Sequence, residues 1–73
     1  MSDIDDERLL GMVTNFDEAR GLGEIQLDDS AAIFPFHCVS IDDGTRTISV
    51  GTKVSFDALL KLGRREAGHI RPV

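Results

Sequence analysis

The chain has no tryptophan and no tyrosine, so its four phenylalanines are its entire aromatic set. Three of them, Phe16, Phe34 and Phe36, fall between positions 15 and 38. Cysteine occurs once, as Cys38. One thiol cannot close an internal disulfide, which fits a reducing compartment. No apolar run approaches the roughly 18 residues of a membrane-spanning helix, so no membrane partner is expected. The opening MSDIDDERLL is acidic and carries no apolar core. It does not read as a secretory signal, and the expected location is cytoplasmic. At 73 residues the chain is one domain. A chain this short buries only roughly 60% of its unfolded surface. Its core is therefore small, and a deep enclosed active site is not expected.

Positive charge is also scarce. The formal net charge is −5, which argues against simple electrostatic capture of a polyanion. The distribution softens that argument. Asp3, Asp5, Asp6 and Glu7 form an acidic tip, read as a flexible tail over residues 1–7. From Arg8 to the end, eight Lys/Arg face nine Asp/Glu, so the body (residues 8–73) is close to neutral. Lys61, Arg64, Arg65 and Arg71 all lie after position 60.

What is present is a series of short extended segments. Arg8 to Phe16 has apolar residues on both parities around Gly11. A helix on Leu9, Leu10, Met12 and Val13 is conceivable. A strand fits better, because glycine is costly inside a helix and Val13, Thr14 and Phe16 favour extended backbone. Gly11 then marks a bulge or a sharp bend. Asp17 to Gly21 is a turn. Leu22 to Leu27 alternates, with Gly23, Ile25 and Leu27 on one face and Leu22, Glu24 and Gln26 on the other. Asp28-Asp29-Ser30 is the next turn, and Ala31 to Val39 the next strand. Pro35 cannot donate to a ladder, which places that strand at an edge or a bulge. Asp43-Gly44 marks another turn. Lys53 to Leu60 points Val54 and Phe56 inward, with Ser55 and Asp57 outward. Residues 61–65 are expected as a loop, and Glu66 to Val73 as a last strand carrying Ile70. Five short strands with turns rich in Asp and Gly predict an all-β fold, a small barrel.

Several possible chemistries fail on spacing. His37 and Cys38 are adjacent, so on a strand they point to opposite faces and cannot readily share a metal or act as a base–nucleophile pair. His69 is the only other histidine, and no metal or cofactor is expected. Cys38 reads as a small buried apolar residue. Asp28-Asp29 and Asp42-Asp43 sit in turns that Asp itself stabilises. Gly21-Leu22-Gly23 lacks the third glycine, the Lys-Ser/Thr and the helix of a phosphate loop. No pair of residues has a catalytic arrangement, and an enzyme is not expected.

Three segments taken together are informative: Gly11-Met12-Val13-Thr14-Asn15-Phe16, Arg20-Gly21-Leu22-Gly23-Glu24-Ile25 and Ile33-Phe34-Pro35-Phe36-His37. They resemble the cold-shock domain family, whose members carry G-x-V-K-W-F, K-G-F-G-F-I and V-F-V-H-F in the same order. Ser40-Ile41, Asp43-Gly44 and Gly51-Thr52-Lys53-Val54-Ser55-Phe56 match the family's later S-A-I, D-G and G-x-x-V-x-F pieces. The resemblance runs over roughly residues 9–73. It implies a five-stranded antiparallel OB-fold barrel that binds single-stranded RNA or DNA by stacking bases on side chains. The implied face comprises residues 12–16, 20–26 and 34–38. Phe16, Leu22 and one of Phe34 and Phe36 would supply stacking or apolar contact. His37 would contact a base, and Arg20 a phosphate. Arg46, Lys61, Arg64 and Arg65 are further phosphate contacts or ordinary surface charge.

The departures from the family fall on that face. Asn15 stands where the family has Trp, Leu22 and Glu24 where it has two outward Phe, and Met12 and Thr14 where the first strand has Lys. Glu24 would repel a phosphate. Stacking is worth roughly 1–3 kcal/mol per base, so binding is expected to be weak or altered in specificity. In residues 33–38 two registers are open. One turns Phe34 and Phe36 outward; the other matches His37 to the family's histidine and turns both rings inward. A slip of one residue exchanges the faces completely, and the inward arrangement is favoured because it also aligns Ile41. A second reading is a module for a protein partner or a second copy, using Met12, Leu22, Glu24 and Pro35.

Overall fold

A computed structural model describes residues 8–42 and 44–73, leaving out the side chain of Lys61. The expected acidic tail, residues 1–7, lies outside the described residues, as does Asp43. The strands are β1 (Leu9–Asp17), β2 (Leu22–Leu27), β3 (Ile33–His37), β4 (Lys53–Lys61) and β5 (Arg64–Pro72). A 3-10 turn, Cys38–Ser40, follows β3. The strands form one sheet in the order β3-β2-β1-β4-β5, and every neighbouring pair is antiparallel. The sheet then closes on itself. Ile41 makes a parallel bridge to Ile70, and the Asp42 N–H donates to the Ile70 carbonyl at 2.8 Å. The result is a five-stranded antiparallel OB-fold barrel, and the expected fold class holds. No helix among the described residues is long and apolar enough to cross a membrane.

β2 is the regular strand. Gly23 and Ile25 are buried and Leu27 half-buried, while Leu22, Glu24 and Gln26 face out. β1 is less regular. Gly11 and Val13 point in and Met12 points out, but Thr14 and Asn15 are both exposed before Phe16 turns inward again. The register with β2 shifts between Val13 and Asn15, so the bulge lies at Thr14, not at the expected Gly11. The bulge reconciles the apolar residues on both parities, because it reverses the faces of β1 halfway along. Gly11 answers a different need, close approach. A Cβ there would lie 2.5 Å from the Gln26 carbonyl oxygen and 2.7 Å from Ile25 Cγ2.

β3 is shorter than expected, because the chain turns after His37. The Cys38 N–H donates to the Gly21 carbonyl at 2.8 Å, and the Ile41 N–H reaches the Cys38 carbonyl at 3.2 Å. β3 ends one side of the strand order, where Pro35 needs no donor. The expected 61–65 loop is instead a two-residue hairpin turn. Leu62 and Gly63 both have positive φ, 52° and 79°, and Lys61 pairs directly with Arg64. Such a turn matches the twist of its flanking strands, though leucine is an unusual residue for it.

The core is Val13, Ile25, Phe34, Phe36, Ile41, Val54, Phe56, Ala67 and Ile70. Phe34 meets Phe56 edge to face at 5.2 Å. Phe16 lies half-buried and stacks on Phe36, with centroids 5.9 Å apart and planes within 9°.

Charged side chains hold the seam where β5 meets the rest. β5 bulges opposite Phe56, between the Ser55–Arg71 and Asp57–Gly68 pairs, with His69 at φ 50°. The Arg8 side chain is only 15% exposed and reaches into this bulge, pairing with Asp57 at 3.4 Å. Its guanidinium donates to Ser55 Oγ at 3.2 and 3.1 Å and to the His69 carbonyl. Beside it, Arg71 Nε donates to Asp42 Oδ2 at 2.9 Å, and His69 Nδ1 lies 3.7 Å from Asp42 Oδ1. The Arg71 hydrogen bond holds the Asp42 carboxyl below its ordinary range; partial desolvation opposes it, and the charges of Arg71, His69 and Arg8 add to it.

Candidate nucleic-acid interface

The outer face of β1–β2–β3 is built in rows by the strand register. Met12, Gln26 and Ile33 form one row, Asn15, Glu24 and Pro35 the next, and Asp17, Leu22 and His37 the third. All nine side chains are exposed. Glu24 therefore stands at the middle of the face, with Asn15 on one side and Pro35 on the other. Side chains paired across strands have Cβ atoms about 5 Å apart. Leu22 is the next outward residue along β2, flanked by His37.

The β1–β2 turn is fixed by its own acid. Asp17 Oδ1 accepts from the Ala19 and Arg20 N–H groups at 3.0 and 3.3 Å, and Gly21 adopts φ 68°. Arg20 is left projecting from the turn, 3.8 Å from Asp17 Oδ2 and mostly exposed. An exposed pair at that distance is weak, so the guanidinium is free to exchange partners. At the other end of the face, Lys53 Nζ contacts both Asp28 carboxylate oxygens at 3.1 Å.

A groove of about 660 Å³ runs along the second and third rows. Asn15, Leu22, Glu24, Pro35 and His37 line it from the sheet, Arg20 from the turn, and Arg64, Arg65 and Glu66 from the start of β5. Its arginines Arg20, Arg64 and Arg65 are matched by Asp17, Glu24 and Glu66, so the groove is not strongly basic. Arg65 carries its guanidinium 5.5 Å from the Phe34 ring centroid, which anchors the β4–β5 hairpin to the core.

Of the residues expected at the site, Asn15, Arg20, Leu22, Glu24 and His37 meet around this groove. Phe16 does not line it; its half-buried ring is stacked on Phe36 instead. Phe34 and Phe36 do not present themselves outward. They are 3% and 1% exposed, which selects the inward register and corrects the expectation that one of them stacks on a base. The physical reason is Gly23: with no side chain opposite it, the Phe36 ring packs directly over the β2 backbone. The convergence of the β5 residues on the face was not legible from the sequence, because a loop over 61–65 gave them no direction.

No family model matches the sequence, and no curated protein matches it. Among solved structures the chain is similar to Drosophila Unr CSD456, a cold-shock domain chain, with a TM-score of 0.76 and 24% sequence identity. The match covers 90% of this chain and 26% of that one, so the chain spans about a quarter of its length. The likeness shows a cold-shock-like fold.

Proposed function

We propose that this barrel binds single-stranded nucleic acid, RNA or DNA, along the outer face of β1–β2–β3. The observation that carries the reading is the groove itself, on a cold-shock-like barrel. It joins a shelf of Leu22, Pro35 and His37 to three arginines on its rim. In this reading a base rests on the shelf and His37 supplies the outward ring of this face. Arg20, Arg64 and Arg65 meet phosphates. Binding is weak, because the other aromatic rings lie wholly or largely in the core and stacking supplies roughly 1–3 kcal/mol per base. A protein partner is the second reading. It is favoured by Leu10, Met12 and Ile33, three exposed apolar side chains at the Lys53 end of the same face.

Titrating the isotope-labelled protein with short RNA and DNA oligonucleotides at low salt tests the proposal. Amide shifts centred on residues 15–24 and 35–37 that fade as salt is added support it. An unmoved spectrum at low salt overturns it and leaves the protein-partner reading. Shifts produced by a partner protein and insensitive to salt identify that second mode.

A further inference from the structure

The groove is lined by an acid, Glu24, that stands at the middle of the outer face, and its surroundings define what that acid can do. Glu24 is exposed, and among the described residues its carboxylate has no hydrogen-bond donor and no cation partner. Of the three arginines on the groove, Arg20 lies by Asp17, Arg65 sits over Phe34, and Arg64 makes no ion pair with Glu24. A bare carboxylate in the path of a polyanion repels it, unless the ligand brings hydrogen-bond donors to that spot.

The bases of a single strand differ sharply in this respect. Guanine presents its O6 acceptor, then N1–H and N2–H₂ as two adjacent donors, along one edge. The two donors match the two oxygens of a carboxylate, a bidentate, charge-assisted arrangement. Adenine and cytosine place one amino group beside a ring-nitrogen acceptor. Uracil and thymine flank one N–H with two carbonyl oxygens. In all three cases a lone pair faces the carboxylate. Asn15 completes the match. It is the direct cross-strand partner of Glu24, and its amide is exposed. One amide donor beside one carboxylate complements the acceptor–donor–donor order of guanine. Leu22 and Pro35, adjacent to Glu24 along and across the sheet, offer an apolar floor for the ring.

We infer that Glu24 and Asn15 form a guanine-selective base pocket on this face. The inference rests on the nucleic-acid reading above and goes further, by assigning the base. Glu24, read from the sequence as repulsive, becomes the specificity element: it penalises the other bases and rewards guanine.

The test uses the full chain and five RNA pentamers, UUGUU, UUAUU, UUCUU, UUUUU and UUIUU, where I is inosine, which lacks the guanine amino group. Affinities are measured at fixed salt by anisotropy. UUGUU is expected to bind at least about tenfold more tightly than the A, C and U probes, the scale of one good bidentate base contact. UUIUU should lose most of that advantage. In Glu24→Gln the advantage collapses, while UUUUU binds severalfold better because a negative charge has gone. Asn15→Ala should lose part of the advantage. Glu24→Gln should melt with the parent, since the side chain has no partner to lose. Equal affinities across the probes, a preference for another base, or a guanine preference that survives Glu24→Gln overturns the inference and leaves the binding reading intact. If no probe binds, even at low salt, the binding reading falls and the inference with it.

Discussion

At the seam of the barrel the charges are engaged within the fold. Arg8 reaches Ser55, Asp57 and the His69 carbonyl, and Asp42 holds Arg71. In the groove, Glu24 and Arg64 have no such partners among the described residues. The two regions use the same kinds of side chain for different ends. Where a charge is half-buried and multiply bonded, removing it costs folding free energy. Where it is exposed and unpaired, removing it costs the fold almost nothing, and its effect has to show in what the surface binds.

That contrast breaks first at Gly23, which lies beneath the groove yet belongs to the core. A Cβ there would meet Phe36 Cζ at 2.5 Å and the Asn15 carbonyl oxygen at 2.8 Å. The Phe36 ring would have to move, and Phe16 stacks on it. Gly23→Ala should therefore lose about 3 kcal/mol in urea unfolding, the upper end for overpacking. A loss under about 1 kcal/mol would show that the ring relocates freely. Arg8→Met comes next, at about 2 kcal/mol, because its loss leaves the half-buried Ser55 and the His69 carbonyl without their donor. Its oligonucleotide affinity should match the parent's; a fall in affinity would mean that seam and groove are coupled.

A smaller effect, of opposite sign, is expected at the hairpin. Leu62 is fully exposed at φ 52°, a conformation that suits asparagine better than leucine. Leu62→Asn should stabilise the protein by about 0.5–1 kcal/mol in thermal melts; a destabilised variant would show that the leucine makes contacts the exposure does not reveal. The smallest effect concerns acid. The Asp42 carboxyl titrates below its ordinary value of 3.8, so the folded protein binds fewer protons there than the unfolded chain. The stability it contributes is present above that value and disappears as pH falls through the lowered one. The melting temperatures of the parent and Asp42→Asn should draw together as pH falls below 3.8 and converge once it has passed the lowered value. A constant gap would assign the effect of Asp42 to something other than its charge.

How far the sequence revealed this arrangement depends on the local regularity of each segment. β2 was legible because its six residues alternate without interruption. β4 showed its inward Val54 and Phe56 for the same reason. β1 was legible as a strand, but the bulge at Thr14 was misplaced to Gly11. Glycine is the usual mark of a bulge, whereas here it marks a close backbone contact. A three-residue step between inward Val13 and inward Phe16 was the available signal. The register of β3 stayed open because Phe34 and Phe36 are equally apolar on either face; only pairing with the bare Gly23 distinguishes them. The 62–63 turn was missed because leucine seldom adopts positive φ, which left Gly63 as the single clue. With it went the direction of Arg64 and Arg65, and so one wall of the groove.

The seam also bears on how long the folded state lasts. β1, β2 and β3 are successive neighbours, and β4 and β5 form a hairpin, so both units assemble from contacts close in sequence. The seam joins Ile41 to Ile70, and Arg8 to a carbonyl 61 residues away. Contacts so distant repay their loop-closure entropy only once both units are in place. Bonds that form late hardly change the rate of folding but hold back the rate of unfolding. Arg8 and Asp42 thus act as a latch on an already assembled barrel, and loosening them shortens its lifetime while leaving its time of formation nearly unchanged.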